Sequence, residues 1–273
     1  MRGKLLFCAL AAMMLLAPAL AHQSPPSSTS SSERLQVSPP LRRAEPPALS
    51  ASPADLERRG DELRAEKSYL DALDYYRAAI KKQPNAAILY VKAGIAELQM
   101  KRLPESIKDF ERAIKLDAKN AVAHNNVGVV YYEQRKYGKA IKQYEKAIEL
   151  RPDDASYYSN LGAAYFSKKE FEKAVEAYNH AVQLDPDILE HTARNGIQAQ
   201  MSSPEDRAHY DYVMAKLYAK MGANDRSLQY LRRAMEDGYK KIDDVYKDDE
   251  FAVLRKDPRF TELMNAKPMS IPE

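Results

Sequence analysis

The fold of this chain is decided by two consecutive stretches of equal length. Residues 121–154 read AVAHNNVGVVYYEQRKYGKAIKQYEKAIELRPDD, and residues 155–188 read ASYYSNLGAAYFSKKEFEKAVEAYNHAVQLDPDI. Six residues of the first stretch recur 34 positions later in the second. They are Gly128, Tyr131, Ala140, Tyr144, Ala147 and Pro152, which match Gly162, Tyr165, Ala174, Tyr178, Ala181 and Pro186. A fixed period of roughly 20–50 residues is the signature of a repeat architecture.

Each unit reads as a pair of helices. In the first quoted stretch, residues 121–135 and 137–150 are amphipathic and are separated by a polar turn, and Pro152 stops the second helix. Gly128 and Ala140 are small enough for two helices to cross closely, and Tyr144 fills the space beside the crossing. Because one helical hairpin cannot bury all of its apolar surface, such hairpins are expected to stack on one another.

The residue pattern Gly-x-x-Tyr, then Ala-x-x-x-Tyr-x-x-Ala and a closing Pro, resembles the tetratricopeptide repeat. The resemblance covers residues 53–186 in one register, because Gly60 and Gly94 continue the period backwards. It implies an all-α fold, a right-handed α-solenoid of helix-turn-helix repeats. The predicted units are 53–86, 87–120, 121–154 and 155–188. The second unit departs from the pattern at Glu97, which stands where Tyr131 stands in the third.

The register is lost after Pro186 and then resumes. We predict an inserted helix over 189–207, with Ser203 as the N-cap of a new helix and Pro204 in its first turn. A fifth, degenerate repeat is expected over 208–241. Residues 242–273 are predicted to be a helical C-terminal cap and tail that covers the last hairpin. Its apolar residues are Phe251, Leu254, Phe260 and Leu263.

The N-terminal segment has the features of a signal peptide. Arg2 and Lys4 precede an apolar run, and small residues before His22 provide a cleavage site, so residues 1–21 are predicted to be removed. The alternative is an uncleaved anchor, for which the run is short. Cleavage predicts a periplasmic or secreted bacterial protein that meets the membrane only transiently. Residues 22–52, rich in Pro and Ser, are predicted to be a disordered linker.

Composition gives no indication of catalysis. The 273 residues carry a formal charge of +3, which gives no reason to propose nucleic acid as a partner. The only cysteine, Cys8, lies in the predicted signal peptide, and the five histidines form no metal-binding motif. Sequence motifs of nucleotide-binding or hydrolytic sites are missing as well. We therefore predict no enzyme, no cofactor and no metal site, and a protein or peptide as the partner.

The resemblance also predicts where a peptide binds, because the first helix of each hairpin lines the concave surface in this family. The corresponding residues are Ile88, Val91, Ile95, Leu98, Val122, Asn125, Val129, Tyr132, Ser159, Ala163 and Phe166. This set is apolar, and exposed apolar surface marks interaction sites. Glu57 and Asp61 stand where some family members hold a peptide carboxylate with Lys and Asn, which argues against such a clamp.

Two alternatives to groove binding remain open at this point. The groove can be occluded within the protein, by a tight superhelix or by the linker or tail. The protein can also serve as a structural scaffold or a self-assembling component of a cell-envelope complex, through its convex face or tail.

Overall fold

The computed structural model describes residues 44–189 and 203–266. Within these residues it contains eleven α-helices and no strand. The helices are α1 (Pro53–Ala65), α2 (Tyr69–Lys82), α3 (Ala87–Gln99), α4 (Leu103–Leu116), α5 (Ala121–Glu133), α6 (Tyr137–Leu150), α7 (Ala155–Ser167), α8 (Phe171–Leu184), α9 (Pro204–Lys220), α10 (Asn224–Glu236) and α11 (Pro258–Ala266). Three short 3-10 helices, Ile242–Tyr246, Asp249–Phe251 and Leu254–Lys256, precede α11.

The helices pair in sequence order. The first four hairpins begin at Pro53, Ala87, Ala121 and Ala155, which are the residues where the 34-residue units start. Within each hairpin the two helices pack together, and the second helix of each of the first three packs on the first helix of the next. The first helices are also neighbours, since α5 contacts both α3 and α7. The expected all-α solenoid of helix pairs is confirmed.

Polar side chains fix where several helices begin. The Ser52 side chain accepts a hydrogen bond from the Asp55 backbone N–H, and Asn120 Oδ1 accepts one from Ala123 at 3.0 Å. Ser203, predicted as an N-cap, accepts from the backbone N–H of Asp206 at 3.1 Å. Each bond satisfies a donor that the first helical turn leaves free.

The turn inside each hairpin has the same backbone form. In the third hairpin Arg135 has φ 59°, and Lys136 N–H donates to Tyr131 O at 2.8 Å, as in a Schellman motif. The residues with positive φ in the first four turns all carry positive charge. They are Lys67, Lys101, Arg135 and Lys169. Gly222 holds this conformation in the fifth hairpin, with φ 74°.

The fifth hairpin is formed by α9 and α10, and it starts at Pro204 rather than at Ala208 as predicted. The chain after α10 folds back over this hairpin. Phe251, Leu254 and Phe260 are buried in one cluster with Leu231 of α10. The expected helical cap is confirmed. The helix predicted over 189–207 lies mainly outside the described residues.

The segment ahead of the first hairpin differs in part from the predicted disordered linker. Tyr75 Oη donates to the Glu45 carbonyl at 2.9 Å, and Lys82 Nζ donates to the Leu49 carbonyl at 2.8 Å. Ala44 and Ala51 also pack on the first hairpin. Residues 44–52 are therefore held against α2, because their carbonyls accept hydrogen bonds that offset the cost of ordering. The predicted signal peptide and residues 22–43 of the linker lie outside the described residues.

Candidate functional site

Four of the predicted groove residues form a line of partly open aliphatic side chains on α3 and α5. Ile88 is 49% exposed, and Ile95 of the same helix is partly exposed. Val122 and Val129 are the corresponding residues of α5 and are also partly exposed. Ile95, Val122 and Val129 rest on the same buried cluster. We call these four residues the aliphatic strip.

The expectation that the other seven residues are open to a ligand is wrong, because their side chains are buried. They are Val91, Leu98, Asn125, Tyr132, Ser159, Ala163 and Phe166. These side chains are buried because the first helix of each hairpin packs against helices of the adjacent hairpins. The repeat pattern of a single hairpin does not reveal this packing. Five of the seven, Val91, Leu98, Asn125, Tyr132 and Phe166, make contacts between successive hairpins.

Individual contacts show how these residues join successive hairpins. Val91 and Leu98 of α3 belong to one buried cluster with residues of α5. Asn160 Nδ2 of α7 donates to Asn125 Oδ1 of α5 at 2.9 Å, and Tyr132 Oη lies 2.8 Å from Ser167 Oγ. These hydrogen bonds satisfy polar groups that are removed from water.

Phe166 has the same structural role further along the chain. Its ring centroid lies 5.1 Å from that of Phe171 in α8 and 5.2 Å from that of Tyr210 in α9. Phe166 is only 3% exposed, so it connects the fourth hairpin to the fifth. Aromatic pairs at such distances add to the free energy gained by burying the rings.

Lys92 lies on α3 between Ile88 and Ile95 and is a polar neighbour of the strip that sequence reasoning missed. Its Nζ is 2.6 Å from Glu57 Oε1 and 2.5 Å from Asp61 Oδ2, both on α1. Burial opposes the charge on Lys92, but the hydrogen bonds to Asp61 and Glu57 outweigh it and raise the pKa of the lysine. Glu57 and Asp61, whose charges make a carboxylate clamp unfavourable, thus also form ion pairs with the ammonium group of Lys92.

A second polar cluster lies inside the helix stack. Arg77 of α2 contacts both carboxylate oxygens of Asp109 at 2.7 and 2.6 Å, and it contacts Glu97 at 2.7 Å. Glu97 and Asp109 are both buried. In the sequence, this cluster is indicated only by Glu97, which stands where the repeat pattern has Tyr. The sequence does not reveal that Arg77 is the partner of Glu97.

Each of the three histidines in the described residues contacts a neighbouring side chain. His124 Nδ1 lies 2.9 Å from Gln143 Oε1. His180 stacks on Tyr158, and His209 lies 4.0 Å from the ring centroid of Phe171. Burial, followed by the charge of Lys241, lowers the pKa of His209. His22 and His191 lie outside the described residues.

Residues 44–189 and 203–266 hold neither a cluster of metal ligands nor a membrane-spanning helix. Nowhere in these residues do three or more His, Cys, Asp or Glu side chains gather as a metal site. None of the helices described is both long enough and apolar enough to cross a membrane.

Depressions of the surface occur away from the aliphatic strip. One, of about 540 Å³, lies between α10 and α11 beside Arg232 and Arg259. Another, of about 290 Å³, lies beside His209 and Tyr239. A third, of about 510 Å³, lies at the turn of the third hairpin, and we call it the basic depression. Its lining residues are Arg135, Lys136, Tyr137, Gly138, Lys139, Lys142 and Lys168.

Comparison with known families identifies the repeats. A family model described as TPR repeat matches residues 96–135 and 130–169, and one described as Tetratricopeptide repeat matches residues 155–188. Residues 96–188 are therefore matched as tetratricopeptide repeats. Proteins built from such repeats generally serve as interaction modules rather than as enzymes. A search of curated proteins gave no match.

Solved structures with a similar arrangement of helices include a crystal structure of MamA, which is 21% identical. That match covers 72% of this chain and 95% of MamA with a TM-score of 0.48. MamA 41-end from Desulfovibrio magneticus RS-1 is 19% identical, with 74% and 99% covered and a TM-score of 0.49. The first TPR of Spaghetti (RPAP3) bound to the HSP90 peptide SRMEEVD is 21% identical, with 46% and 92% covered and a TM-score of 0.38. At these values the similarities concern the fold alone.

Proposed function

We propose that the protein is an exported interaction module that binds a peptide segment of a partner protein along the aliphatic strip. The observation that carries the proposal is the exposure of Ile88 together with the partial exposure of Ile95, Val122 and Val129 on two neighbouring first helices. Apolar side chains left in contact with water gain free energy when a partner covers them, at about 25 cal/mol per Å². Recognition of a helical or extended peptide by such a surface is a common mode of binding.

The polar neighbours of the strip restrict the ligand. Lys92 is engaged by Glu57 and Asp61, so its ammonium group is not available to a free peptide carboxylate. Asn126 donates a hydrogen bond to the Val122 carbonyl of its own helix at 2.8 Å, and its Oδ1 can accept one from a peptide N–H. The expected ligand is an internal apolar segment rather than a free C-terminus.

Export is the second part of the proposal. It is supported by the basic start, apolar run and small-residue site of residues 1–21. Mass spectrometry of the protein purified from the cell envelope of its host tests it directly. We expect an intact mass that corresponds to a chain beginning at His22. A mass that retains residues 1–21 would contradict cleavage.

Binding along the strip is tested by placing a photo-crosslinking amino acid at Val129 in the tagged chain. Irradiation of the native envelope, followed by mass spectrometry, should yield an adduct with a partner protein. Ile107 is the matched control, because it is also a partly buried aliphatic residue but lies on α4, the second helix of its hairpin. Val122→Asp should abolish the adduct at position 129. Equal adducts at positions 107 and 129, or none at 129, would refute this binding site.

A further inference from the structure

The basic depression concentrates positive charge at one turn. Five of its seven lining residues are Lys or Arg, and none is Asp or Glu. Lys168 is ion paired with Glu170. Lys136 donates to Gln134, and Lys139 lies over the ring of Tyr131. Within the residues that the structure describes, no carboxylate pairs with Lys136 or Lys139, nor with Arg135 or Lys142.

This concentration of charge is not a general property of the repeat. The residues at the equivalent positions of the first hairpin are Lys67, Ser68, Asp71, Asp74 and Met100. In the second hairpin they are Lys101, Arg102, Glu105, Lys108 and Gln134. Before the register is lost, the fourth hairpin contributes Lys169, Glu170, Lys173 and Glu176. Acidic residues therefore compensate part of the charge at these positions in the first, second and fourth hairpins, but not in the third.

The uncompensated cations repel one another in the free protein. Like charges that face one depression raise each other's electrostatic energy, and a bound anion relieves this repulsion. The first turn of α6 contains no acidic residue, whereas α2, α4 and α8 carry Asp71, Glu105 and Glu172 there. Lys139 at the start of α6 also opposes the helix dipole. A ligand with several carboxylates would reduce both the repulsion among the cations and the unfavourable interaction of Lys139 with the helix dipole.

We propose that the basic depression binds an acidic segment of a partner protein. A short peptide is favoured over a nucleic acid or a membrane because the cations do not continue as a track. Glu105 takes the position of Lys139 in the second hairpin, Glu170 takes that of Lys136 in the fourth, and the whole chain carries only +3. Polynucleotides and anionic bilayers present extended arrays of charge, and extended basic surfaces bind them.

This surface is separate from the aliphatic strip. The strip lies on the first helices α3 and α5, whereas the depression lies at the turn between α5 and α6 and along α6. The proposal therefore does not depend on peptide binding by the strip. A partner that reaches both surfaces would gain affinity from the second contact without a change in either.

The test uses the full purified chain and a fluorescent octaglutamate peptide, with binding followed by anisotropy. We expect binding in about 50 mM salt that weakens in about 200 mM salt, because exposed charges are screened. The double variant Lys139→Glu/Lys142→Glu should bind roughly ten-fold more weakly, since two attractive contacts become repulsive. An octaglutamine peptide should not bind.

Two further variants make the result specific. The control variant Lys115→Glu/Lys119→Glu changes the net charge by the same amount, but at exposed residues at the end of the second hairpin. It should bind octaglutamate as tightly as the wild type does. Val129→Asp should also retain octaglutamate binding, which separates this surface from the strip. Equal weakening by both charge variants, or no binding to the wild type in low salt, would overturn the proposal. Tighter binding of a single-stranded oligonucleotide or of phosphatidylserine vesicles at the same residues would overturn the assignment to a protein partner.

Discussion

The ring of Tyr144 occupies the space where a side chain on Gly128 would begin. A Cβ atom at Gly128 would lie 2.5 Å from Cε1 of Tyr144, and Tyr144 is fully buried. Helix α5 thus meets α6 through its bare backbone at this point. The same relationship recurs between Gly60 and Tyr76, where the distance would be 2.6 Å. The glycine of the repeat is therefore required by the ring that packs over it.

Substituting Gly128 with Ala should destabilise the protein. The ring of Tyr144 is enclosed and cannot move aside, so overpacking is expected to lower the free energy of unfolding by about 1–3 kcal/mol. Gly138→Ala is the matched control, because a Cβ atom there meets nothing within 4 Å. The control should gain up to about 1 kcal/mol from helix propensity. Urea denaturation of both variants measures the difference, and an unchanged midpoint for Gly128→Ala would show that α5 can move away without cost.

Replacing Tyr144 with Phe should stabilise the protein. The hydroxyl of Tyr144 is buried and has no hydrogen-bond partner among the described residues, and Phe110 already stands at the equivalent position of the second hairpin. Removing a buried, unsatisfied hydroxyl is expected to raise the free energy of unfolding by about 1 kcal/mol.

The matched substitution is Tyr76→Phe in the first hairpin. There the hydroxyl donates to Asp61 at 2.8 Å and accepts from Arg64 at 3.3 Å. Its loss should lower stability by roughly 0.5–1.5 kcal/mol. Chemical denaturation should show that Tyr144→Phe raises the free energy of unfolding and that Tyr76→Phe lowers it. A change in the same direction for both variants would contradict this account.

Glu97 should make stability depend on pH. Burial, together with the charge of Asp109, raises the pKa of Glu97 to about 7 from its ordinary value of 4.5. The folded state then binds this proton more tightly than the unfolded chain does. The contribution of Glu97 is therefore greatest at low pH and is lost as the pH rises from about 4.5 towards 7.

The measurement is a series of unfolding curves between about pH 5 and pH 8. Glu97→Gln should show a smaller loss of stability across this range than the wild type. Asp109→Asn is a contrasting variant, because it removes the bidentate partner of Arg77. It should cost about 1–3 kcal/mol, because Asp109 is buried while the Arg77 side chain is 37% exposed and stays partly hydrated. Identical pH dependence of the wild type and Glu97→Gln would rule out a raised pKa for Glu97.

A pair of aspartate substitutions should distinguish the open strip from the buried interface. Val129 is partly exposed although it packs on a buried cluster, so Val129→Asp should keep the helical circular dichroism and lower the melting temperature only slightly while it prevents partner capture. Phe166 is 3% exposed, so Phe166→Asp should lower the free energy of unfolding by at least about 3 kcal/mol. Similar melting temperatures for the two variants would refute this division.

The repeat pattern predicted the helices well, because their cause is local. The glycine and the aromatic residue of each unit act within one hairpin, as does the closing proline of the first, third and fourth units, so their spacing fixes where α1, α3, α5 and α7 begin. Ser203 is a similar case, since a cap bonds to a residue only three positions away. Such contacts can be predicted from a single sequence.

Contacts between hairpins could not be predicted in the same way. Tyr132 and Phe166 read as exposed because the pattern of one unit does not show which side chains the next unit covers. Arg77 is separated by 20 residues from Glu97 and by 32 from Asp109, and no local pattern relates them. Seven of the eleven predicted groove residues are therefore buried, and binding by the four that stay partly exposed remains a prediction.

The contacts of residues 44–52 with α2 have a mechanical consequence. Tension applied to the chain ahead of Glu45 would first load the bonds that Tyr75 and Lys82 make with this segment. Their rupture would release nine residues, which extend to roughly 30 Å at about 3.3–3.6 Å per residue. The first hairpin would then feel the force only after this length is drawn out. Residues 44–52 would thus delay the loading of the helix stack when the chain ahead of them is pulled.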